Sequence, residues 1–507
     1  MKGKFLTITV SIIAVIVLAG SVRGLLGNPT ASELNTPRWS EGGPFELSVE
    51  RGRFSVTFSL IEDGSFHYSI PLARFAVPDL GYKDGKYVSL FAPGLSFLIA
   101  PGYLLGKLIG SGPLLSYATV SLFAFLNFLL VGVISRKLGA SLFTGSLAGL
   151  TFLFATPAFA YSVSLYQHHA STLLILTSIY LLTQPPNFKR LALVWFFMAF
   201  SFTVDYPNLV MFVPIALFAL VKTFNVKKSP IKLLSVLAVV PPLVLLGYFN
   251  LKSYGNPFQL AGTISGVRAI DAQGRPGVPQ AAQNTQQDLE RFVRPEIQKK
   301  SAVNFFKSRN LLNGLYIHFI SPDRGIIYFA PIVILAIFGA SYLFRSHHPL
   351  LPLLISVLGI NLVLYSLWGD PWGGWGFGSR YLIPSYALSA IFIGVGLSKS
   401  RPKPLVSALF FALFVYSVAV NLAGALTSSA NPPQVEILAL EKISGMQQKY
   451  TVGRNFDHLS AGRLKSFAFK AFGSKYFNSW QYYHLILFPI VISGLGLLVG
   501  HTAYERH

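Results

Sequence analysis

Residues 113–137 read PLLSYATVSLFAFLNFLLVGVISRK, and this stretch decides the class of fold. Residues 113–135 contain no Asp, Glu, Lys or Arg, and Arg136 and Lys137 follow directly. An apolar run of about 20 residues crosses the hydrocarbon core of a bilayer. Lys and Arg concentrate at cytoplasmic helix ends. The stretch therefore predicts a membrane-spanning helix that ends on the cytoplasmic side.

Similar apolar runs recur along the 507 residues, of which 52% are hydrophobic and 12% charged. Soluble domains carry about a quarter charged residues. This composition excludes a soluble enzyme, a disordered chain and a nucleic-acid-binding domain, so nucleic acid is not an expected partner. The absence of cysteine excludes disulfides and thiolate catalysis. We predict an all-α polytopic membrane protein with twelve spans, at 5–25, 113–135, 142–162, 167–184, 191–206, 207–222, 231–251, 326–345, 350–367, 381–398, 404–422 and 483–500.

The charged residues predict which helix ends face the cytoplasm. The short links on one side are basic and contain no acid: Lys2/Lys4, Arg136/Lys137, Lys189/Arg190, Lys222 to Lys232, Arg345, and Lys399/Arg401/Lys403. Of the 19 acidic residues, only Glu505 falls on that side. Because basic links mark the cytoplasm, we predict a multi-pass protein of the plasma membrane whose active site is extracytoplasmic.

Two apolar segments allow more than one interpretation. Residues 88–108 contain Pro93 and Pro101, which favours an interfacial or re-entrant segment packed against protein; thirteen spans are the alternative. The run at 5–25 is predicted as an uncleaved anchor, with a signal peptide as the alternative. We divide the chain into a catalytic membrane module at 1–422 with outer loops 26–112 and 252–325, an outer C-terminal loop at 423–482, and a last span with its tail at 483–507.

The first outer loop contains eight acids, among them Glu50, Asp63 and Asp79. Residues 47–61 are predicted to form an amphipathic helix that stops at Asp63–Gly64. A carboxylate held just outside the membrane can act as a general base on an acceptor hydroxyl or amine. Single loop acids are more often solvated or cap helices. The concentration of acids beside an apolar, proline-interrupted segment is what indicates a site.

Two further outer segments combine arginine with glycine or tryptophan. Residues 365–384 read YSLWGDPWGGWGFGSRYLIP and include Trp372, Trp375 and Arg380. Tryptophan suits a membrane interface or a sugar-stacking platform, and arginine pairs with phosphate. Arg324 lies at the start of the span at 326–345, beside Asp323. An aromatic belt and a local ion pair at a helix start are the structural alternatives.

His168, His169 and Asp205 are candidates of a different kind. Adjacent histidines do not share one helix face, so joint chelation of a metal is disfavoured. A single histidine that bonds substrate is possible, although an interfacial structural role is equally ordinary. Asp205 is the only acid near the interior of a predicted helix, and such acids are functional candidates by default. Capping of the next helix ahead of Pro207 is the alternative.

The ordered set of motifs resembles the GT-C class of polytopic glycosyltransferases, which includes protein O-mannosyltransferases and aminoarabinose transferases. The matching features are the acidic first outer loop, D-x-x-x-x-x-G-x-Y-x-S-x-x-x-P-G at 79–94, S-P-x-R-G at 321–325, and W-x-x-W-G-x-G-S-R-Y-L-I-P at 372–384. The resemblance extends to about residue 400. The acidic pair that usually follows the first span is not evident, since Val49 precedes Glu50.

This resemblance implies an enzyme that transfers a sugar, with inversion, from a polyprenyl- or dolichyl-phosphate carrier on the extracytoplasmic face. It implies a first-loop carboxylate as general base, which we assign to Asp79, with Glu50 and Asp63 as the other candidates. The residues expected to bind substrate are Arg324, Arg380, Tyr381, Trp372, Trp375, His168, His169, Asp205 and Tyr87. The acceptor is expected to be a lipid, glycan or protein.

No cofactor is predicted, and a metal-independent reaction is expected because no metal-ligand spacing is visible, although a divalent metal is not excluded. A transporter or lipid flippase is the main alternative function. Transporters place charges and broken helices near the midplane, often in two related halves, and no internal repeat is visible here. Another outer-face enzyme that uses lipid carriers, such as a ligase or polymerase, is the third possibility.

Overall fold

The computed structural model describes residues 2–40, 42–224, 233–277, 305–399 and 404–504. Parts of two predicted basic links (225–232 and 400–403) and Glu505 lie outside the described residues. The described helices of the first half are α1 Lys2–Ser21, α2 Ala31–Leu34, α3 Ser48–Glu62, α4 Ile70–Ala76, α5 Gly94–Leu108, α6 Gly112–Lys137, α7 Leu142–Phe154, α8 Ala158–Ser162, α9 His168–Thr183, α10 Phe188–Val204, α11 Asn208–Met211, α12 Val213–Phe224 and α13 Val240–Tyr254. Those that follow are α14 Leu311–Phe319, α15 Ile326–Phe329, α16 Ala336–Arg345, α17 Leu351–Ser366, α18 Ile383–Lys399, α19 Pro404–Leu426, α20 Ile437–Ser444, α21 Gly453–Ser460, α22 Phe467–Ala471 and α23 Ser479–Tyr504.

The length and the apolar composition of its helices identify the chain as a multi-pass membrane protein. Six segments are long and apolar enough to cross a membrane, by length and composition: Gly3–Ser21, Gly112–Lys137, Leu234–Tyr254, Arg380–Lys399, Pro404–Leu426 and Ser479–Ala503. Other predicted spans are shorter or broken helices. Pro157 lies between α7 and α8, and Pro331 lies between α15 and α16. Proline interrupts a helix because it lacks an N–H. The total of twelve spans stays a prediction.

Two contacts place the ends of helices that precede predicted basic links beside one another. Ser141, just after α6, donates its backbone N–H to Ser398 Oγ at the end of α18, at 3.0 Å. The Lys222 ammonium at the end of α12 donates to the carbonyl of Leu182 near the end of α9. The C-terminal ends of α6 and α18 therefore lie together, and so do those of α9 and α12, which agrees with the predicted alternation of charged links. The candidate site described below lies at the other end of these helices.

Helix α5 begins and ends on the same side of the bundle. At its start, Gly94 lies so close to Thr203, at the end of α10, that an added Cβ would overlap that residue. Just beyond its end, the Gly110 carbonyl accepts a hydrogen bond from Gly27 N–H at 2.9 Å, beyond the end of α1. These contacts favour the predicted interfacial segment over a thirteenth span.

Short strands, which the sequence analysis did not predict, lie in the outer loops. β1 Leu80–Lys83 pairs with β2 Lys86–Ser89 as an antiparallel hairpin, and β3 Gly266–Val267 pairs with the other edge of β1. The pair β4 Ala269–Ile270 and β5 Pro276–Gly277 is separate. Asp84 and Gly85 form the hairpin turn with positive φ of 50° and 77°. This hairpin fixes the position of Asp79, which directly precedes β1.

Helix α3 has the predicted position, but it is not amphipathic in the fold. Polar residues on all its sides are buried, including Glu50, Arg51 and Arg53. The helix lies between α4, α5 and the hairpin rather than on the surface. Its polar side chains therefore need internal partners.

An ion cluster joins the first outer loop to the C-terminal loop. The Glu46 carboxylate lies 3.0 Å from Lys465 Nζ and 3.7 Å from Arg23 Nη1, and it accepts a hydrogen bond from Ser428 Oγ at 2.6 Å. Burial alone would raise the pKa of Glu46, but the charges of Lys465 and Arg23 hold this pKa at about 2. Glu46 is thus fixed as a carboxylate, and the C-terminal loop packs against the start of α3.

Candidate active site at the junction of two cavities

Two cavities meet at the end of the bundle opposite the basic links. The larger has a volume of about 410 Å³ and the smaller about 160 Å³. Val49, Asp79, Arg380 and Tyr381 line both of them. The carboxylate of Asp79 and the guanidinium of Arg380 therefore both lie at the boundary between the two cavities.

The larger cavity is mainly apolar and reaches the outside of the bundle. Its wall includes Leu90, Phe91, Phe202, Leu209, Val210, Leu260, Ile264, Phe305 and Phe306. Leu209 is 48% exposed, Val210 40% and Phe306 39%. Because these side chains line the cavity and are also partly exposed, the cavity opens to the exterior of the bundle beside them. Its size lies within the range of about 300–1,000 Å³ that is typical of ligand sites.

The smaller cavity is polar. Ser48 at the start of α3, Asp79 and Asp370 line it together with the glycines 373 and 374. Gly373 and Gly374 have positive φ of 73° and 64°, a backbone conformation that glycine adopts without strain. This pair of residues presents carbonyl oxygens to two arginines, as described below.

Arg380 and Arg53 lie around the ring of Tyr166. The Arg380 guanidinium carbon is 4.6 Å from the ring centroid, and that of Arg53 is 5.6 Å away. Burial lowers the pKa of Arg53 to about 10, against the opposing charge of Asp205, so Arg53 remains protonated at neutral pH. All three side chains are at least nine-tenths buried. Two positive charges are thus concentrated on one aromatic ring at the boundary of the cavities.

Several donors of this cluster have no hydrogen-bond partner in the part of the chain that the structure describes. They are Nε and Nη1 of Arg380 and the hydroxyl of Tyr166. Arg380 Nη2 donates to the Gly373 carbonyl. Buried polar groups are nearly always paired, and an unpaired one requires an explanation. An anion bound against Arg380 and Tyr166 would satisfy these donors.

Asp79 is held by the helix that carries Ser48. Ser48 Oγ donates to Asp79 Oδ2 at 2.7 Å, and Asp79 N–H donates to the Ala76 carbonyl at 3.1 Å. One carboxylate oxygen is thereby oriented, and the side chain lines both cavities. Asp79 is the predicted base candidate that reaches the junction; its catalytic role stays a prediction.

Asp205 is a second carboxylate in the larger cavity. It follows α10 as the C-cap residue, and its Oδ2 accepts a hydrogen bond from Gln167 Nε2 at 2.9 Å. Asp205 lines the larger cavity close to Arg53, and this position is compatible with the predicted substrate-binding role. The alternative, a side-chain cap of the next helix, is not observed, because the recorded hydrogen bond of the Asp205 side chain is to Gln167.

Glu50 and Asp63, the other base candidates, line neither cavity. The Glu50 carboxylate is fully buried and accepts hydrogen bonds from Leu165 N–H at 3.1 Å and Leu47 N–H at 3.4 Å. Burial raises the pKa of Glu50, and the charge of Arg23 opposes this effect. Asp63 is exposed at the end of α3. The geometry gives no support to direct catalysis by either residue.

Arg324, predicted to bind phosphate, has a different surrounding. Its guanidinium donates to the carbonyls of Trp372 at 3.0 Å, Gly374 at 2.8 Å, Asn431 at 3.0 Å and Asp323 at 2.7 Å. Each of its three nitrogens is thus engaged by backbone, and Arg324 lines neither cavity. The predicted phosphate contact is not supported, because this arginine instead shapes the loop around 372–374.

Of the aromatic candidates near Arg380, two line a cavity and one does not. Trp375 lines the smaller cavity, and its indole N–H donates to Glu436 Oε2 at 2.7 Å. Tyr381 lines both cavities and stacks on Tyr365, with ring centroids 4.3 Å apart. Trp372 lines neither and contributes a carbonyl to Arg324. Trp375 and Tyr381 are therefore placed to contact a ligand, whereas Trp372 is not.

Three other candidates lie behind or away from the cavities. His169 Nε2 is 2.8 Å from the Ala158 carbonyl, a structural contact inside the bundle. The His168 ring stacks on the ring of Tyr166, with centroids 5.8 Å apart. Tyr87, in the hairpin, donates its hydroxyl to the Gly274 carbonyl at 2.9 Å. Of these three, only His168 touches a residue of the cavity wall through its ring.

The described residues contain no group of three His, Asp or Glu side chains that could hold a metal ion. The expectation of a metal-independent reaction therefore stays a prediction.

Three residues that line the larger cavity, Arg53, Tyr166 and Gln167, were not predicted from the sequence. Arg53 lies in the predicted amphipathic helix at 47–61, in which a basic residue is expected to face solvent. Tyr166 and Gln167 directly precede the histidine pair that drew attention. One signal was available: Arg53 lies in a loop that is predicted to be extracytoplasmic, where the charge bias disfavours arginine.

Comparison with known proteins gives a similarity of fold. No protein-family model matches the chain, and no curated protein sequence matches it. The structure is similar to ArnT from Cupriavidus metallidurans in the apo state, with 12% identity, 99% of this chain and 76% of that chain covered, and a TM-score of 0.49. For the same protein bound to undecaprenyl phosphate, the values are 11%, 98%, 75% and 0.47. Similarity at this level assigns neither a substrate nor a residue role to this chain.

Proposed function

We propose that the protein is a membrane glycosyltransferase that moves a sugar from a polyprenyl- or dolichyl-phosphate carrier to an acceptor on the extracytoplasmic face. The observation that carries this proposal is the set of unpartnered donors on Arg380 and Tyr166 at the junction of an apolar and a polar cavity. An amphiphilic substrate with an anionic group between its two parts fits this arrangement.

The carrier chain is assigned to the larger cavity. Its apolar wall and its opening beside Leu209 and Val210 suit an isoprenoid tail that remains partly in the bilayer. The phosphate would then lie against Arg380 and Tyr166, with Arg53 adding a second positive charge. Charge-assisted bonds from arginine to phosphate oxygens are among the stronger hydrogen bonds in proteins.

The smaller cavity is assigned to the sugar and the acceptor group. Trp375 offers an aromatic face and Asp370 a polar edge. The acceptor atom would attack the anomeric carbon while the bond from that carbon to the phosphate oxygen breaks. The proton of the acceptor passes to Asp79, and the electron pair of the broken bond remains on the carrier phosphate.

The two arginines and the base have separate tasks in this reaction. The charge on the departing phosphate grows in the transition state, and preorganised donors in a site shielded from water stabilise such charge. Asp79 lines both cavities, so it is within reach of an acceptor in the smaller one. Ser48 orients its Oδ2 and leaves Oδ1 for the proton.

The arrangement favours an enzyme over a transporter. Asp79, Asp205, Arg53 and Arg380 all lie at the end of the bundle opposite the basic links. Transporters place substrate and ion sites near the bilayer midplane, between related halves. A site at one end of the helices suits chemistry at the membrane surface.

The test is sugar transfer by the protein in reconstituted vesicles, from radiolabelled polyprenyl-phosphate sugars to cell-envelope extract. Asp79→Asn should lose transfer by about 10²–10⁴-fold, the usual contribution of a general base. Asp63→Asn is the matched control, because Asp63 is a first-loop acid that lines neither cavity, and it should retain transfer. Normal transfer by Asp79→Asn would refute the assigned base. A wild type that transfers from no donor in the panel would refute the proposed function.

A further inference from the structure

Glu50 lies at the third position of α3, completely buried, behind the wall of both cavities. Its Oε2 accepts from the N–H of Leu47, the N-cap residue of the same helix, at 3.4 Å. A glutamate at this position commonly reaches back to the N-cap in this way. Its Oε1 accepts from Leu165 N–H at 3.1 Å, in a segment that is distant in sequence.

Each of the two bonded amides directly precedes a residue of the candidate site. Leu165 precedes Tyr166, whose ring contacts Arg380 and Arg53. Leu47 precedes Ser48, which donates to Asp79. A single carboxylate thus connects the phosphate-binding side of the junction to the side that holds the proposed base.

A carboxylate suits this connection for a chemical reason. Two backbone N–H groups need two acceptor oxygens, which an ionised Glu offers, whereas Gln offers one oxygen and an additional donor. Glu46 lies nearby, but its own carboxylate is engaged by Lys465, Arg23 and Ser428. Burial raises the pKa of Glu50 and the charge of Glu46 adds to this effect, while the charge of Arg23 and the two backbone N–H donors oppose it.

We propose that Glu50 is a positioning residue, which keeps the Tyr166 segment and the Ser48–Asp79 pair at a fixed separation so that the phosphate and the base act on one sugar. This inference rests on the proposed glycosyltransferase function. Glu50 does not touch either cavity, so its effect must pass through the two backbone segments that it bonds.

The main test compares Glu50→Gln with Glu62→Gln in the reconstituted transfer assay. Glu62 ends the same helix and is also bonded, to Tyr103 at 2.8 Å and to Lys107, but it lies away from both cavities. We expect Glu50→Gln to lower kcat by about 10–100-fold, with the donor KM within about threefold, because small misplacements of reacting groups cost this much. Glu62→Gln should keep the wild-type kcat.

A double-variant comparison shows whether Glu50 acts through Ser48. Ser48→Ala and Glu50→Gln should each lower kcat, and the double variant should be little worse than Glu50→Gln alone, because both changes release the same carboxylate. Multiplied effects in the double variant would overturn the inference. A wild-type kcat in Glu50→Gln would overturn it as well.

Hydrogen exchange of the full-length protein in detergent tests the connection without turnover. In Glu50→Gln, exchange should rise in the peptides that contain Leu47 and Leu165 and stay unchanged elsewhere. A rise throughout the protein would mean that Glu50 supports the whole fold, which would overturn a positioning role. If the wild type transferred no sugar, the proposed function would fail, whereas the exchange pattern would still decide whether Glu50 ties the two segments.

Discussion

Arg324 and Arg380 are both buried arginines that contact the same glycine-rich loop, yet their surroundings differ. The nitrogens of Arg324 donate to four backbone carbonyls, two of them at Trp372 and Gly374. Arg380 donates one bond to the Gly373 carbonyl, and its Nε and Nη1 have no partner among the described residues. Every guanidinium nitrogen of Arg324 thus has a partner, whereas two nitrogens of Arg380 have none in the described part of the chain.

The difference separates a structural cation from a ligand-binding one. A buried guanidinium whose three nitrogens all donate to backbone carbonyls holds a loop in shape and has at most one N–H left for a substrate. A buried guanidinium with free donors has been desolvated without compensation, and this is costly unless a ligand completes the site. On this argument, substitution of Arg380 should impair substrate use, whereas substitution of Arg324 should impair folding.

Among the substitutions that compare the two arginines, replacing Arg380 by Gln gives the largest expected effect on sugar transfer. We expect sugar transfer to fall by about 10²–10³-fold, the loss typical when one donor to a developing oxyanion is removed. The melting temperature should not fall, because the substitution removes an unsatisfied charge. Transfer assays and a thermal melt on the same vesicle preparation measure both.

The control for this prediction is the addition of a short-chain polyprenyl phosphate. It should stabilise the wild type by about 2.7 kcal/mol at a hundredfold excess over Kd and leave Arg380→Gln unchanged. Equal stabilisation of both proteins would place the phosphate elsewhere.

Replacing Arg324 by Gln should give a smaller effect of the opposite kind. Carbonyls at Trp372, Gly374 and Asn431 would lose their donors, and each unsatisfied buried group costs about 1–3 kcal/mol. We expect a lower melting temperature. The protein that remains folded should bind polyprenyl phosphate with nearly wild-type affinity. If the variant kept its stability and lost phosphate binding, the two arginines would have been assigned the wrong way round.

The helices were accessible from the sequence because a bilayer imposes long apolar runs. The run at 113–135 lies within helix α6, and the predicted helix at 47–61 corresponds to α3 Ser48–Glu62. The breaks near Pro157 and Pro331 and the short strands β1 to β5 were not predicted. The prolines and the Asp84–Gly85 turn are local signals for these breaks and for the β1–β2 hairpin, whereas the pairing of β1 with β3 joins segments that are far apart in the chain.

The site was predictable only in part, for a physical reason. Asp79 and Arg380 were found because a carboxylate and an arginine in outer loops suit the chemistry of a phosphate-linked sugar. Arg324 carries the same charge as Arg380 and also lies in a predicted outer segment. The sequence does not show that its nitrogens donate to backbone carbonyls, because these hydrogen bonds form only in the folded loop. Tyr166 was overlooked because an isolated tyrosine carries no signal until two arginines are seen around its ring.

Replacing Tyr166 by Phe is the smallest change and the sharpest test of the phosphate site. The ring and both of its arginine contacts would remain, and the hydroxyl, which has no partner among the described residues, would be lost. If this hydroxyl donates to the carrier phosphate, the loss of one hydrogen bond should weaken donor binding by about 3–10-fold, or about 1 kcal/mol. Tyr161→Phe is the matched control, because the Tyr161 hydroxyl accepts a hydrogen bond from Phe377 N–H at 2.8 Å and is occupied within the protein. Donor KM and the Kd for polyprenyl phosphate should rise together in Tyr166→Phe and not in Tyr161→Phe. Unchanged binding in Tyr166→Phe would show that the unpartnered hydroxyl is not aimed at the phosphate, and Arg380 would then bind it without this donor.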